Sequence, residues 1–165
     1  MSSSGRTTER HRRRYGRDRA AADPRTFVCN SLAAKAQSVA EIEAKLATRG
    51  IGPEEAAAAL SEATRLGYLD DAELAGQLAR GLRSRGYGRR RAAQTLRRRR
   101  LPAAIAENAL EGAYGDVDEE TLARSALGAR SVDDDSSRRR AASFLVRRGF
   151  SAGAAWRAVG RARSP

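Results

Sequence analysis

The sequence predicts an all-α fold, in which three tandem three-helix repeats form an elongated, curved helical array. Three stretches carry nearly the same letters, KLATRGIG at 45–52, TLRRRRLP at 95–102 and FLVRRGFS at 144–151. Their leucines, Leu46, Leu96 and Leu145, lie at almost equal intervals, as is typical of repeat proteins. The composition agrees, because hydrophobic residues make up 41% of the chain and aromatic residues only 5%. Stacked repeats bury a face against each neighbour and so give an extended body.

The chain begins with a segment unlike the rest. Residues 1–25 are rich in Ser, Gly and Arg and nearly devoid of large aliphatic residues, so we predict a disordered basic tail. The first repeat then spans 26–69, with helices predicted at 26–36, 39–49 and 53–66. Ser38 is expected to cap the second helix, Gly50 to end it in a left-handed turn, and Pro53 to open the third.

The second repeat spans 70–115, and the third spans 116–165 with a short C-terminal tail. Asp70 is the expected cap of the fourth helix, and Pro102 opens the sixth. In the third repeat an irregular SVDDDSS segment is expected before a helix at 138–148, and a last helix runs from Ser151 to about Gly160. Arg100 stands where the other repeats have glycine, so a differently built, slightly strained turn is expected there.

The charge of the chain is strongly positive, with a formal net value of +12 at pH 7 and a pI of about 11.2. Almost all of it is carried by Arg, since the only lysines are Lys35 and Lys45. Such a balance indicates an anionic partner, which is nucleic acid, an acidic protein surface or an anionic membrane. Charge alone does not choose among them.

Catalytic residue types are scarce in the sequence. Cys29 is the only cysteine and is expected to be a buried, inert thiol, and the only histidine, His11, lies in the polar tail. No catalytic residue, metal site or cofactor is predicted. No apolar run approaches the roughly 18 residues that span a bilayer, so a cytoplasmic protein without membrane association is expected.

Arginines are predicted to cover one face of the middle helix of the second repeat. At helical spacing Ala92, Ala93 and Leu96 share the inner face and the arginines fall outside. Between positions 74 and 106 there are ten arginines and no acidic residue, so this surface is expected to be uncompensated. Arginines at 89–91 also crowd a positive helix start, which favours a phosphate or carboxylate ligand.

The third repeat shows the same pattern, with Ala141, Ala142 and Leu145 inward and arginines outward, whereas the first repeat lacks it. Trp156 is expected to belong to the core. The residues predicted to bind DNA phosphates or an acidic protein surface are Arg89, Arg90, Arg91, Arg97, Arg98, Arg139, Arg140 and Arg147.

Longer stretches resemble a known family. The runs KLATRGIGPEEAAAALSEATRLGYLDDAEL, RSRGYGRRRAAQTLRRRRLP and FLVRRGFS are similar to the RecX family of bacterial recombination regulators. The most specific pieces are GYLDD at 67–71, RGYG at 85–88 and RRGFS at 147–151. The motif residues, whose expected role is mainly structural, with the aromatic rings packed against glycine turns, are Gly67, Tyr68, Asp70, Asp71, Gly86, Tyr87, Gly88, Arg148, Gly149 and Phe150.

The resemblance implies a protein without catalysis that binds the RecA filament on DNA and restrains its ATPase and strand exchange. Its expected role is to modulate homologous recombination, DNA repair and the SOS response. The expected partners are RecA and, weakly and in a salt-dependent way, single- or double-stranded DNA, and a monomer is expected. Departures from the family pattern are Arg100, Leu74 where an aromatic is frequent, and the insertion ALGARSVDDD.

One alternative function stays open, a general basic nucleic-acid-binding helical protein of the nucleoid-associated type. Phosphate binding needs only positive charge. Three spaced copies with specific loop motifs instead favour a partner that has a periodicity of its own.

Overall fold

The computed structural model describes residues 23–130 and 132–160. Within these ranges the chain forms nine α-helices and no strand, so the predicted all-α fold is confirmed. The helices are α1 Pro24–Ala34, α2 Val39–Thr48, α3 Pro53–Arg65, α4 Asp71–Ser84, α5 Arg89–Arg98, α6 Ala103–Tyr114, α7 Glu119–Leu127, α8 Asp135–Arg147 and α9 Ala152–Val159. The described residues up to 70, which are 23–70 with α1–α3, form one compact unit, and the described residues from 71 to 160, with α4–α9, form a second.

The helices pack in threes around separate cores. In the first unit α3 packs on α1 and α2 around Ile42, Leu46 and Leu60. In the second unit α4 packs on α5 and α6, and α9 packs on α7 and α8, each trio enclosing its own core. The prediction of three-helix repeats is therefore confirmed.

The repeated leucines have one role in all three repeats. Leu46, Leu96 and Leu145 are fully buried at the end of the middle helix. Each also accepts, through its carbonyl, a hydrogen bond from the amide five residues later: Ile51 N to Leu46 O at 3.2 Å, Leu101 N to Leu96 O at 3.3 Å and Phe150 N to Leu145 O at 3.2 Å. This hydrogen bond closes a helix that is followed by a residue in the left-handed conformation. The repeated sequence therefore specifies a repeated helix end.

The turn at Arg100 is strained as predicted, but the expectation that it is built differently from the other two turns is wrong. Its φ is +55°, against +75° at Gly50 and +93° at Gly149, and it is the only described non-glycine residue with positive φ. A Cβ in this region is unfavourable by about 1 kcal/mol. The second repeat thus makes the same turn as its neighbours, with a side chain where they have none.

Two predicted helix starts are wrong by a few residues. α1 begins at Pro24 rather than at 26, because the Asp23 side chain accepts a bond from Thr26 N and proline favours the first turn. α8 begins at Asp135 rather than at 138, because Asp134 and Ser137 form a reciprocal capping box. The rest of the predicted tail, 1–22, lies outside the described residues.

Two expectations about burial are also wrong. Cys29 is exposed, because the buried position of α1 is taken by its neighbour Val28. Trp156 is 49% exposed. α9 buries Ala154, Ala155 and Val159, and at 100° per residue Trp156 falls on the far side of that arc.

Candidate nucleic-acid interface

The basic face of α5 lies outward, as its spacing predicts. Ala92 and Leu96 are fully buried, whereas Arg90, Arg97 and Arg98 are exposed. In the described part of the chain these three guanidinium groups take part in no ion pair or side-chain hydrogen bond. They form the first component of the candidate interface, which we call the α5 arginine face.

Arg89 does not belong to that free surface. Its Nη2 lies 2.5 Å from Glu107 Oε1 and 3.5 Å from Glu111 Oε2, both on α6. The expectation of an uncompensated cluster is therefore wrong at this residue. The acidic partners lie just beyond the 74–106 window and reach Arg89 only because α6 packs on α5.

Arg91 is half-buried and is oriented by a neighbour on its own helix, since its Nη1 donates to Gln94 Oε1 at 3.2 Å. Its backbone lies against Gly149: a Cβ built on that glycine would lie 2.5 Å from Arg91 Cβ. Arg91 is thus a residue of the contact between the second and third repeats.

The start of α5 is covered by backbone rather than open to an anion. Gly88 N donates to Arg148 O at 2.9 Å, and Arg90 N donates to Gly149 O at 3.3 Å. These carbonyls occupy positions where a phosphate would bind helix amides. The prediction of an anion site at the helix start is therefore wrong for the amide of Arg90, and the exposed side chains are what remains available.

The RGYG and RRGFS motifs meet in this contact. Arg148 Nη1 donates to the carbonyls of Arg85 at 2.7 Å and Gly86 at 3.0 Å. Its guanidinium also lies over two rings, 4.7 Å from the centroid of Tyr87 and 4.8 Å from that of Phe144. We call this contact of residues 85–91 with residues 148–151 the motif junction.

Side chains from α6 and α7 hold the two motif turns. Tyr114 donates its hydroxyl proton to Tyr87 O at 3.1 Å, and burial raises the pKa of Tyr114 to about 12 although Arg83 opposes the shift. Glu119 accepts from both the amide and the hydroxyl of Ser151, at 2.7 and 2.6 Å. Sequence periodicity does not reveal Tyr114 or Glu119, because both act on residues far along the chain.

The third repeat supplies a second basic surface around Phe144. Arg139, Arg140 and Arg147 are exposed. Arg140 and Arg147 line a depression of about 420 Å³ together with Arg130, whose guanidinium lies 3.8 Å from the ring centroid of Phe144. Arg140 Nη1 also donates to Ser136 Oγ at 2.6 Å. We call the surface formed by Arg139, Arg140 and Arg147 the α8 arginine face.

Arg130 was missed by sequence reasoning because it lies in the insertion, outside the repeat pattern. The one carboxylate that lines the depression is Asp134. Its pKa is held below the usual value, chiefly because it accepts the backbone N–H of Ser137 while capping α8. The carboxylate is therefore committed to the helix, and the three guanidinium groups outnumber it.

The GYLDD motif lies at the boundary of the two units. Gly67 has a φ of +76°. Tyr68 is 61% exposed, although its ring was expected to pack against a glycine turn. Asp70 immediately precedes α4 and Asp71 begins it, so Asp70 holds the predicted cap position. Phe150 and Gly88 of the other motifs are buried.

The described residues contain no group of three or more His, Cys, Asp or Glu side chains placed to hold a metal ion. None of the helices in these ranges is long and apolar enough to cross a membrane.

Comparison with known proteins identifies relatives. Residues 70–110 match the family model described as RecX, second three-helix domain. The regulatory protein RecX of Stenotrophomonas maltophilia (strain K279a) is 35% identical over 121 residues, which cover 72% of this chain and 74% of that protein. The regulatory protein RecX of Mycolicibacterium vanbaalenii is 33% identical over 137 residues, or 76% of this chain and 74% of that protein.

A solved structure agrees on the fold. The crystal structure of RecX from Lactobacillus salivarius superposes with a TM-score of 0.69 over 82% of this chain and 92% of that one, at 20% sequence identity. The similarity in sequence extends over most of both chains in the relatives above, and the helical architecture matches this crystal structure. The chain therefore belongs to the RecX family of regulatory proteins.

Proposed function

We propose that this protein binds the nucleoprotein filament of the RecA recombinase and inhibits its ATPase and strand exchange. In the cell it would thereby modulate homologous recombination, DNA repair and the SOS response. The family name supports a regulatory role, and the charge of +12 supports an anionic partner.

The observation that carries the proposal is the presence of two arginine faces on one compact unit. Arg90, Arg97 and Arg98 extend from α5, and Arg139, Arg140 and Arg147 extend from α8. All six are exposed, and within the described residues none of them forms an ion pair. Because stability does not require such unpaired charge, a phosphate backbone or an acidic protein surface is the partner that these faces suit.

Binding alone is enough to slow a catalytic cycle. A protein that binds one state of the filament more tightly than another shifts the filament toward that state, by linkage. In this proposal the protein acts by binding alone, without catalysis and without a cofactor. We further propose that it acts in the cytoplasm as a monomer, since a large net positive charge opposes self-association.

The test is the DNA-dependent ATPase of RecA on single-stranded DNA, titrated with the wild-type protein and with the triple variant R90S/R97S/R98S. Arg91 is left intact because it belongs to the motif junction. The matched control is R65S/R80S/R124S, which removes three exposed arginines that are paired with Glu62, Glu73 and Glu120. Both variants lower the net charge by the same amount.

We expect the wild type and the control to inhibit turnover and the α5 variant to require a much higher concentration. Equal inhibition by both variants would show that the α5 arginine face is not the contact. Unchanged ATPase at every wild-type concentration, together with salt-sensitive binding to naked DNA, would contradict the proposal and favour the general nucleic-acid-binding alternative.

A further inference from the structure

Trp156 is the only tryptophan of the chain and lies on the outside of α9, 49% exposed. Large aromatic side chains are normally buried, because each one removes a large apolar area from water. Nothing in the packing of α9 requires the indole, since that helix buries Ala154, Ala155 and Val159 instead. The exposed ring is thus available to a partner.

The surface around the ring is open to a flat ligand. The residues one turn before Trp156 on its own helix are Ala152 and Gly153, which are exposed and carry at most a methyl group, and the helix ends at Val159. A depression of about 450 Å³ adjoins the indole and is lined also by Glu120, Arg138 and Arg157. A planar group therefore has room beside the ring.

The charge around the ring favours an anionic ligand. Two guanidinium groups line the depression against one carboxylate: that of Arg157, which is 62% exposed, and that of Arg138, which also pairs with Asp135 at 3.2 Å. The one carboxylate in the depression, Glu120, is already bound to Arg157 at 3.0 Å and to Arg124 at 2.6 Å. An apolar protein patch would need further exposed apolar side chains beside the ring, whereas the other residues lining this depression are charged or glycine.

We propose that Trp156 is a stacking platform for an unpaired nucleobase, so that the α9 surface binds single-stranded rather than double-stranded nucleic acid. A base has a flat π-face that stacks on indole, and its backbone carries the negative charge that suits the surrounding arginines. Duplex bases are stacked on each other and present no free face. This inference rests on the proposed function in supposing a nucleic-acid partner, and it adds the strand type and the residue.

The test measures the tryptophan fluorescence of the protein, which comes from Trp156 alone because the chain has no other tryptophan. The probes are a single-stranded oligothymidine, an abasic strand of equal length and a duplex of equal length. We expect saturable quenching by the oligothymidine, and little by the abasic strand or the duplex. Affinities are also measured for W156A, for W156F and for the control L66A, which removes an apolar side chain that is equally exposed, at 49%.

W156A should bind the single strand about 5- to 150-fold more weakly, whereas W156F and L66A should stay near the wild type. The salt dependence of W156A should be unchanged, because the phosphate contacts remain. Circular dichroism should show the helical content of W156A intact, since the ring is outside the core.

Emission that stays constant while the oligothymidine saturates the protein would overturn the proposal. So would wild-type affinity of W156A, or a change of emission that appears only on adding RecA without DNA, which would make the ring a protein contact. These binding measurements contain no ATPase step. Their failure is therefore distinguishable from failure of the proposed function, which the RecA titration measures separately.

Discussion

Gly88 and Gly149 lie backbone against backbone at the motif junction. A Cβ built on Gly88 would lie 2.5 Å from Gly149 O, and one built on Gly149 would lie 2.5 Å from Arg91 Cβ. Real Cβ atoms do not approach so closely, and the atoms in the way are backbone or Cβ atoms that cannot swing aside. At these two positions glycine is needed for close approach, and Gly149 needs it also for its φ of +93°.

Alanine at either position should destabilise the second unit. For Gly88→Ala we expect a loss of about 1–3 kcal/mol from overlap alone, because its φ of −78° suits any residue. For Gly149→Ala backbone strain adds to overlap, giving about 2–5 kcal/mol. Urea unfolding followed by circular dichroism measures both.

The control is Gly50→Ala, at the equivalent turn of the first repeat. Gly50 has a φ of +75° and no atom within 4 Å of a built Cβ, so only strain of about 1–2 kcal/mol is expected. If Gly149→Ala were no more harmful than Gly50→Ala, the close contact at the motif junction would be unimportant for stability.

Two helices of the third repeat, α7 and α8, begin at aspartate caps. Asp118 accepts Thr121 N at 2.8 Å at the start of α7, and Asp134 accepts Ser137 N at 2.8 Å at the start of α8. The pKa of each carboxyl is lowered, first of all by that backbone bond. The charged form is thus the one that the folded helix binds.

The contribution of Asp134 should depend on pH in a defined direction. Because its folded pKa lies below the usual 3.8, the stabilisation is complete above that value and is lost as the pH falls through the folded pKa. Asp134→Ala should therefore lower Tm at neutral pH, and the difference from the wild type should shrink below pH 3.8. Asp134→Asn keeps an acceptor oxygen but not the charge, so at neutral pH its Tm should lie between those of the wild type and Asp134→Ala.

Thermal melts from neutral pH to below 3.8 measure these differences. Asp116→Ala is the control, since Asp116 is exposed and makes no hydrogen bond or ion pair within the described residues, and it should leave Tm unchanged. A deficit of Asp134→Ala that is the same at neutral and acid pH would contradict a charged cap.

The arginines of the described residues are not all equally available to a partner. Some arginines are neutralised in ion pairs, such as Arg89 with Glu107, and others serve the fold, such as Arg148 at the motif junction. Those that remain on the α5 and α8 arginine faces are exposed. Net charge therefore overstates the number of groups that are free to bind phosphate.

The salt dependence of DNA binding should show how many of those exposed arginines contact phosphate. Each phosphate contact contributes about 0.7 to the slope of log K against log salt on single strands. R90S/R97S/R98S should therefore reduce the slope by about 2, whereas R65S/R80S/R124S should change it little. Anisotropy titrations at several salt concentrations measure this, and equal slopes for the two variants would mean that charge acts only in bulk.

Much of the architecture is local information and could be predicted from the sequence. Buried residues are predicted by Leu46 and Leu145, and helix ends by Gly50 and Gly149. Both features are local, because burial periodicity and left-handed turns depend on neighbours a few residues away. The strained turn at Arg100 follows from the same comparison. The start of α8 was missed because several polar residues in a row at 133–137 offer competing caps, whereas the Asp and Pro at 23 and 24 are a local start signal for α1 that was overlooked.

The all-helical class, the threefold repeat and the outward placement of the α5 and α8 arginines follow from short-range spacing in the sequence. Which of those arginines are free depends on the tertiary structure. It paired Arg89 with α6, enclosed Arg91 in the motif junction, covered the start of α5 with the carbonyls of residues 148 and 149, and left Trp156 exposed. These outcomes depend on which helices pack together, so they join residues whose separation in sequence carries no local signal.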